Sequence, residues 1–197
     1  MKPRSSSALF ALFALFALFT LALVAGPAAA AKPAVAPATK NPFQDDYLKL
    51  LDDVEKKIIS LEDAVPQDKF KWRPAPGVRS IGEAYLHIAF GNYTFTKIAT
   101  GKEPPADSGY AMGREKWDLQ TTDKAVIKKI LEASFAHVRA AVKAFPDADL
   151  DKKVSFFGHD ATARAVLISL HGHQNEHLGQ AIAYARANSV VPPWSKA

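Results

Sequence analysis

The chain contains no cysteine. That absence excludes a disulfide scaffold, a thiolate zinc site, a thiol nucleophile and a lipid-anchored cysteine. It also lacks any run of basic residues or basic–aromatic strip. Its 25 Lys+Arg and 20 Asp+Glu are interspersed through 197 residues, for a formal charge of +5. So small an excess, unclustered, is no nucleic-acid footprint, and no nucleic-acid partner is expected. Alternating apolar–polar runs of strand length are missing too, and Phe156-Phe157 is too short to build a sheet. What is there is 48% apolar and 23% charged residues, enough for a packed core and inconsistent with wholesale disorder. The length suits one domain with a tail.

Lys2 and Arg4 open the chain, and residues 8–25, largely an Ala-Leu-Phe repeat, carry no charge. Gly26-Pro27 ends any helix there, and Ala28–Ala31 supplies the small residues a signal peptidase accepts. Residues 1–31 therefore read as a secretory signal peptide. The run falls just short of the roughly 20 apolar residues that span a bilayer. Cleavage is expected, with a retained N-terminal anchor as the alternative. The expected destination is the periplasm or the extracellular medium, with no stable membrane insertion after cleavage. Residues 32–42, rich in Pro and Ala, form a tether. Residues 43–195 are left as the folded domain.

Four helical patterns fill that domain. Tyr47, Leu51, Val54, Ile58, Leu61 and Val65 recur every three or four positions, one stripe of an amphipathic helix stopped by Pro66. Ser80 and Glu83 have capping-box spacing, so a second helix starts there and runs to about Thr100, with Gly101 as its stop. Residues 101–121 carry Pro104, Pro105, Gly109 and Gly113 and no clean period. So long a connection permits a crossover. The third helix runs from about Asp123 to Phe145, and the fourth from a Thr162 cap to about Asn188. The expectation is an all-α, four-helix bundle.

The fourth helix carries the chemistry. Its seam runs Ala163, Val166, Leu170, His173, His177, Gln180, Tyr184, turning from apolar to polar halfway. His173 and His177 lie about 40° apart around the axis and one turn along it, so both reach one point. Leaving such groups buried without partners costs about 1–3 kcal/mol each. A divalent ion such as zinc, nickel or iron satisfies both; the alternative is a polar patch at the open end of a bundle. On the second helix His87 continues the row Ala84, His87, Gly91, Thr94, and its small neighbours leave room for an ion. Three imidazoles plus water is the pattern of an open, reactive site. Glu176 and Gln180 flank the pair and are candidates to hydrogen-bond a ligand ring. His171 points about 200° away from His173 and is excluded. His137, at the edge of its stripe, and His159, in a loop, read as boundary or surface residues. His173-Gln-Asn-Glu176-His177 also spells the inverted zinc-protease signature. That motif needs an acidic ligand downstream, and none of the twenty residues after His177 is acidic.

The stretches Trp72-Arg-Pro-Ala-Pro-Gly-Val-Arg-Ser80, Gly82-Glu-Ala-Tyr-Leu-His87, Gly91-Asn92-Tyr93, His173-Gln-Asn-Glu-His177-Leu-Gly-Gln180, Tyr184-Ala-Arg186-Ala-Asn188 and Val191-Pro-Pro193 follow one another in order. Together they resemble the DinB-like superfamily. The resemblance covers about residues 43–195. It implies an up-down-down-up bundle with a long connection between helices 2 and 3. It further implies metal ligands at His87, His173 and His177, a small-molecule ligand and a homodimer. Characterised relatives are thiol-dependent S-transferases and a thiol-dependent isomerase, which implies a metal-dependent enzyme acting on a thiol. Export would separate this chain from cytosolic thiols, so a non-catalytic, metal-containing binding or stress protein stands as the alternative.

Overall fold

Long helices begin where a side chain can accept from the free amides of the first turn. In the computed structural model, which describes residues 42–195, three of the four do so visibly. Ser80 Oγ accepts from Glu83 N at 3.2 Å and Glu83 Oε2 from Ser80 N at 3.0 Å, the reciprocal box that opens α2 (Ile81–Thr100). Asp123 caps Val126 N at the start of a helix over Lys124–Ala144, and Thr162 caps Ala165 N at the start of one over Ala163–Ala187. Gly101, in the left-handed region at φ 73°, stops α2. The helix α1 spans Pro42–Ala64. A short α3, Arg114–Asp118, sits inside the long connection, so the later helices are α4 (Lys124–Ala144) and α5 (Ala163–Ala187). The signal-peptide and tether readings lie outside the described residues.

Side-chain pairings set the directions. Asp63 meets Lys128 near one end of α1 and Gln44 meets Val142 near the other, so α1 and α4 are antiparallel. Asn92 meets Ser134 and Tyr93 packs on His137, so α2 and α4 run parallel. His87 lies by His177 and Phe95 by His173, so α2 and α5 are antiparallel. The result is the up-down-down-up bundle, in which α2 packs on α4 and α5, as α1 does. Consecutive helices α1 and α2 therefore sit across the diagonal, which the long second connection makes possible. All six predicted apolar positions of the first helix, Tyr47 to Val65, are buried.

A buried polar chain crosses the middle. Gln174 Nε2 donates to Asn92 Oδ1 at 2.8 Å, Asn92 Nδ2 to Ser134 Oγ at 2.9 Å, and Ser134 Oγ to Leu131 O at 2.7 Å. Buried groups need such partners, so the chain ties α2, α4 and α5 in a single register.

Two expectations fail. The chain does contain a small sheet, an antiparallel hairpin of β1 (Lys153–Phe156) and β2 (His159–Thr162). Two residues, Phe157 at φ 49° and Gly158 at φ 88°, close it, so both turn positions are left-handed as in a type I′ turn. Glycine takes that conformation freely, but phenylalanine pays about 1–2 kcal/mol for it. The hairpin escapes a pattern search because its strands are four residues long and half exposed. His159 accordingly sits in β2, exposed. His137 is not a boundary residue either. It is buried against Tyr93 at 5.1 Å between ring centroids, and burial lowers its proton affinity.

Candidate metal centre

His87 projects from the second turn of α2, and His173 and His177 project from the middle of α5. Because those helices pack on each other, the three rings meet. Their centroids stand 5.2 Å (87–173), 4.7 Å (87–177) and 4.5 Å (173–177) apart. One ring nitrogen from each falls within 4.8 Å of the others. His87 Nε2 and His173 Nε2 are 3.3 Å apart. Two imidazoles on one tetrahedral ion, with bonds of about 2.0–2.1 Å, hold their nitrogens about 3.3–3.4 Å apart. The donor set and spacing therefore fit a divalent ion.

The outward nitrogens are held from behind. His177 Nδ1 hydrogen-bonds Gln180 Oε1 at 2.8 Å, and Gln180 Nε2 in turn donates to Tyr184 Oη at 2.9 Å. The amide oxygen can only accept, so His177 carries its proton on Nδ1 and turns bare Nε2 to the cluster. His87 Nδ1 lies 3.5 Å from Asp118 Oδ2, an electrostatic contact longer than a hydrogen bond. Arg79 Nε donates to the same oxygen at 2.9 Å. Burial alone would raise the Asp118 carboxyl, but His87 and Arg79 outweigh it and hold it below the usual carboxylate range. His173 is positioned by shape. A Cβ built on Gly91 would lie 2.3 Å from its Cε1 and 2.7 Å from its Nδ1, so the ring occupies the space glycine leaves. The small residue beside His87 thus makes room for the third imidazole itself.

The surroundings of His173 and His177 favour the neutral ring, the form that binds metal. Burial, then His177, His87 and Arg79, push the proton affinity of His173 down to a pKa of about 3. Burial also lowers His177, partly offset by its bond to Gln180 and by the charge of Glu176.

Of the two flanking candidates, Gln180 touches a site ring and Glu176 does not. Glu176 is exposed and acts on His177 only through its charge. His171 packs on Tyr47 and bonds Asn175, away from the cluster. The inverted-protease arrangement is not assembled among the described residues, since the cluster's third member is His87 and not a carboxylate. Asp118 and Arg79 escape the sequence reading. Asp118 belongs to α3, anchored when Trp117 Nε1 donates to Leu86 O at 2.7 Å. Its sequence signal is the neighbouring Trp117, a large aromatic in a connection without a clean period. Asp118→Asn removes the charge behind His87 and is expected to lower metal affinity about 10- to 100-fold in a chelator-competition titration, with the fold retained. Unchanged affinity would exclude a role for Asp118.

Fold and site define a class of protein: an up-down-down-up helical bundle in which the second and last long helices bring three imidazoles to one point. The chain belongs to the DinB superfamily, whose model matches residues 50–181. Two crystal structures share the architecture. A DinB-like protein from Bacillus cereus is 19% identical with a TM-score of 0.61, over 76% of this chain and 95% of that one. A DinB-like protein from Bacillus subtilis is 20% identical with a TM-score of 0.55, over 76% of this chain and 92% of that one. Likeness at those identities is one of fold. No curated protein matches the chain.

Proposed function

We propose that His87, His173 and His177 hold one divalent ion, zinc, nickel or iron, and that the protein is a metal-dependent enzyme acting on a small thiol after export. The convergence of three ring nitrogens, two of them backed by Gln180 and Asp118, carries the metal reading. The family resemblance supports the thiol and a homodimer, and residues 1–31 support export to the periplasm or extracellular medium. Among the described residues no helix is long and apolar enough to cross a membrane. A bound ion supplies Lewis acidity, lowering the pKa of a thiol or water in its open position. The protein's own groups orient the ligand rings and favour the neutral form of His173 and His177.

One observation favours the non-catalytic alternative. Among the described residues the carboxylates near the cluster are paired, Asp118 Oδ2 with Arg79 and Glu83 with Arg73 and the Ser80 amide, which weakens either as a general base. A thiol test separates the two readings. Protein loaded with cobalt(II) is expected to develop a sulfur-to-cobalt charge-transfer band when 2-mercaptoethanol is added. Cobalt that binds stoichiometrically yet never develops the band would favour the binding-protein reading.

A further inference from the structure

A cavity of about 410 Å³ opens beside the histidines, with His87 and His173 on its inner wall. Phe90, Phe95 and Phe157 form its apolar sides, and the exposed Arg114 also lines it. Phe157 is unusual in three respects. It takes the left-handed conformation that suits glycine or asparagine, it is 65% exposed, and its ring still lies 5.8 Å from that of Phe95 at the cavity wall. A strained, exposed aromatic gains little for the fold. Backbone outliers of this kind concentrate where a ligand is clamped. Arg114 differs from its neighbours in the opposite way. Arg73, Arg79, Arg139 and Arg164 all pair with carboxylates, whereas Arg114 and Arg186 have no ion-pair partner among the described residues, and of these two it is Arg114 that lines the cavity. No acidic side chain lines the cavity.

We infer that this cavity binds a small aromatic carboxylate, its ring packed between Phe90, Phe95 and Phe157 and its carboxylate held by Arg114. The phenylalanines supply ring-stacking and apolar area. The guanidinium supplies a planar fork that matches a carboxylate. A cation is disfavoured by Arg114, and a fully polar ligand by the phenyl walls. The inference deepens the metal-enzyme reading by naming a substrate class for the same site, since the bound ring would lie against His87 and His173. It does not require the ion for affinity.

The test uses 1-naphthoate and its neutral analogue 1-naphthamide, titrated calorimetrically into the purified protein with and without added zinc. Naphthoate is expected to bind at least about tenfold more tightly than naphthamide. Arg114→Gln should abolish that preference while leaving naphthamide binding unchanged. Phe157→Asn places a favoured residue in the turn, so its melting temperature should rise by about 2–4 °C while naphthoate affinity falls about tenfold. That opposite movement of stability and binding would not arise from a purely structural Phe157. Naphthoate binding that survives Arg114→Gln but depends on zinc would overturn the inference, because the carboxylate would then be held by the ion. Equal affinity for the two probes would overturn it as well. Metal content measured on the same samples keeps the readings apart. Naphthoate binding by a protein that takes up no ion defeats the metal reading alone, and zinc uptake without naphthoate binding defeats this inference alone.

Discussion

Alanine at His87, His173 or His177 is expected to lower divalent-metal affinity by more than about a hundredfold each. Loss of a group behind a ligand already costs about 10- to 100-fold, and here a ligand itself is lost from a set of three. Two other helical histidines, His171 on α5 and His137 on α4, are the controls. His171→Ala should leave affinity within about twofold, because its ring faces Tyr47 and Asn175. His137→Ala should do the same for the metal while destabilising the fold, since it removes a buried ring packed on Tyr93. Competition with a chromophoric chelator measures all five variants. Protons should compete with the ion as the pH falls. At His173 and His177 that competition sets in below the ordinary histidine range, because both rings resist protonation in the fold. Metal that stays bound in His87→Ala but leaves in His171→Ala would show that the cluster is not the binding site.

Glu62→Gln is expected to stabilise the protein at pH 8 and to leave it nearly unchanged at pH 4. Glu62 lies on α1 with no exposed surface, and neither carboxyl oxygen has a hydrogen-bond partner among the described residues. Burial pushes its pKa up to about 7, with Lys124 and Lys128 opposing and Asp63 and Glu132 adding to the rise. The buried Tyr85 hydroxyl feels the same carboxylate, which raises its own pKa beyond the effect of burial. A folded pKa above the unfolded one means that the native state holds the proton more tightly. Stability from this group is therefore full below the unfolded value of about 4.5 and is lost as pH rises to about 7. The loss is on the order of 2 kcal/mol, taking about 1.4 kcal/mol per pH unit and allowing for relaxation around the charge. Glutamine keeps the shape and carries no charge, so it removes the slope. Denaturant titrations of parent and variant from pH 4 to pH 8 isolate this group from every other, since the two proteins differ at Glu62 alone. Parallel stability curves for the two proteins would refute the assignment.

The amino-acid sequence determined the parts of this protein that depend on neighbours a few residues away. A stripe at every third or fourth position needs only the helix period to bury Tyr47, Leu51, Val54, Ile58 and Leu61 together. Ser80 with Glu83, and Thr162 with Ala165, cap within one turn, so the helix starts could be read from the chain. His173 and His177 share a face for the same reason, and His87 could be placed toward the core by its row. Only the tertiary structure decided what stands behind and beside those rings. Asp118 reaches His87 because Trp117 docks on Leu86 across 31 positions of sequence, and no local period encodes that contact. Gly91 accepts the His173 ring only once α2 and α5 lie against each other. Glu62 looks like any polar-face residue until α4 covers it, and Phe157 like any loop aromatic until the hairpin carries it to the cavity. Each of these depends on which surfaces meet, a property of helix packing between residues distant in the chain, and periodicity along a single helix carries no information about its partner.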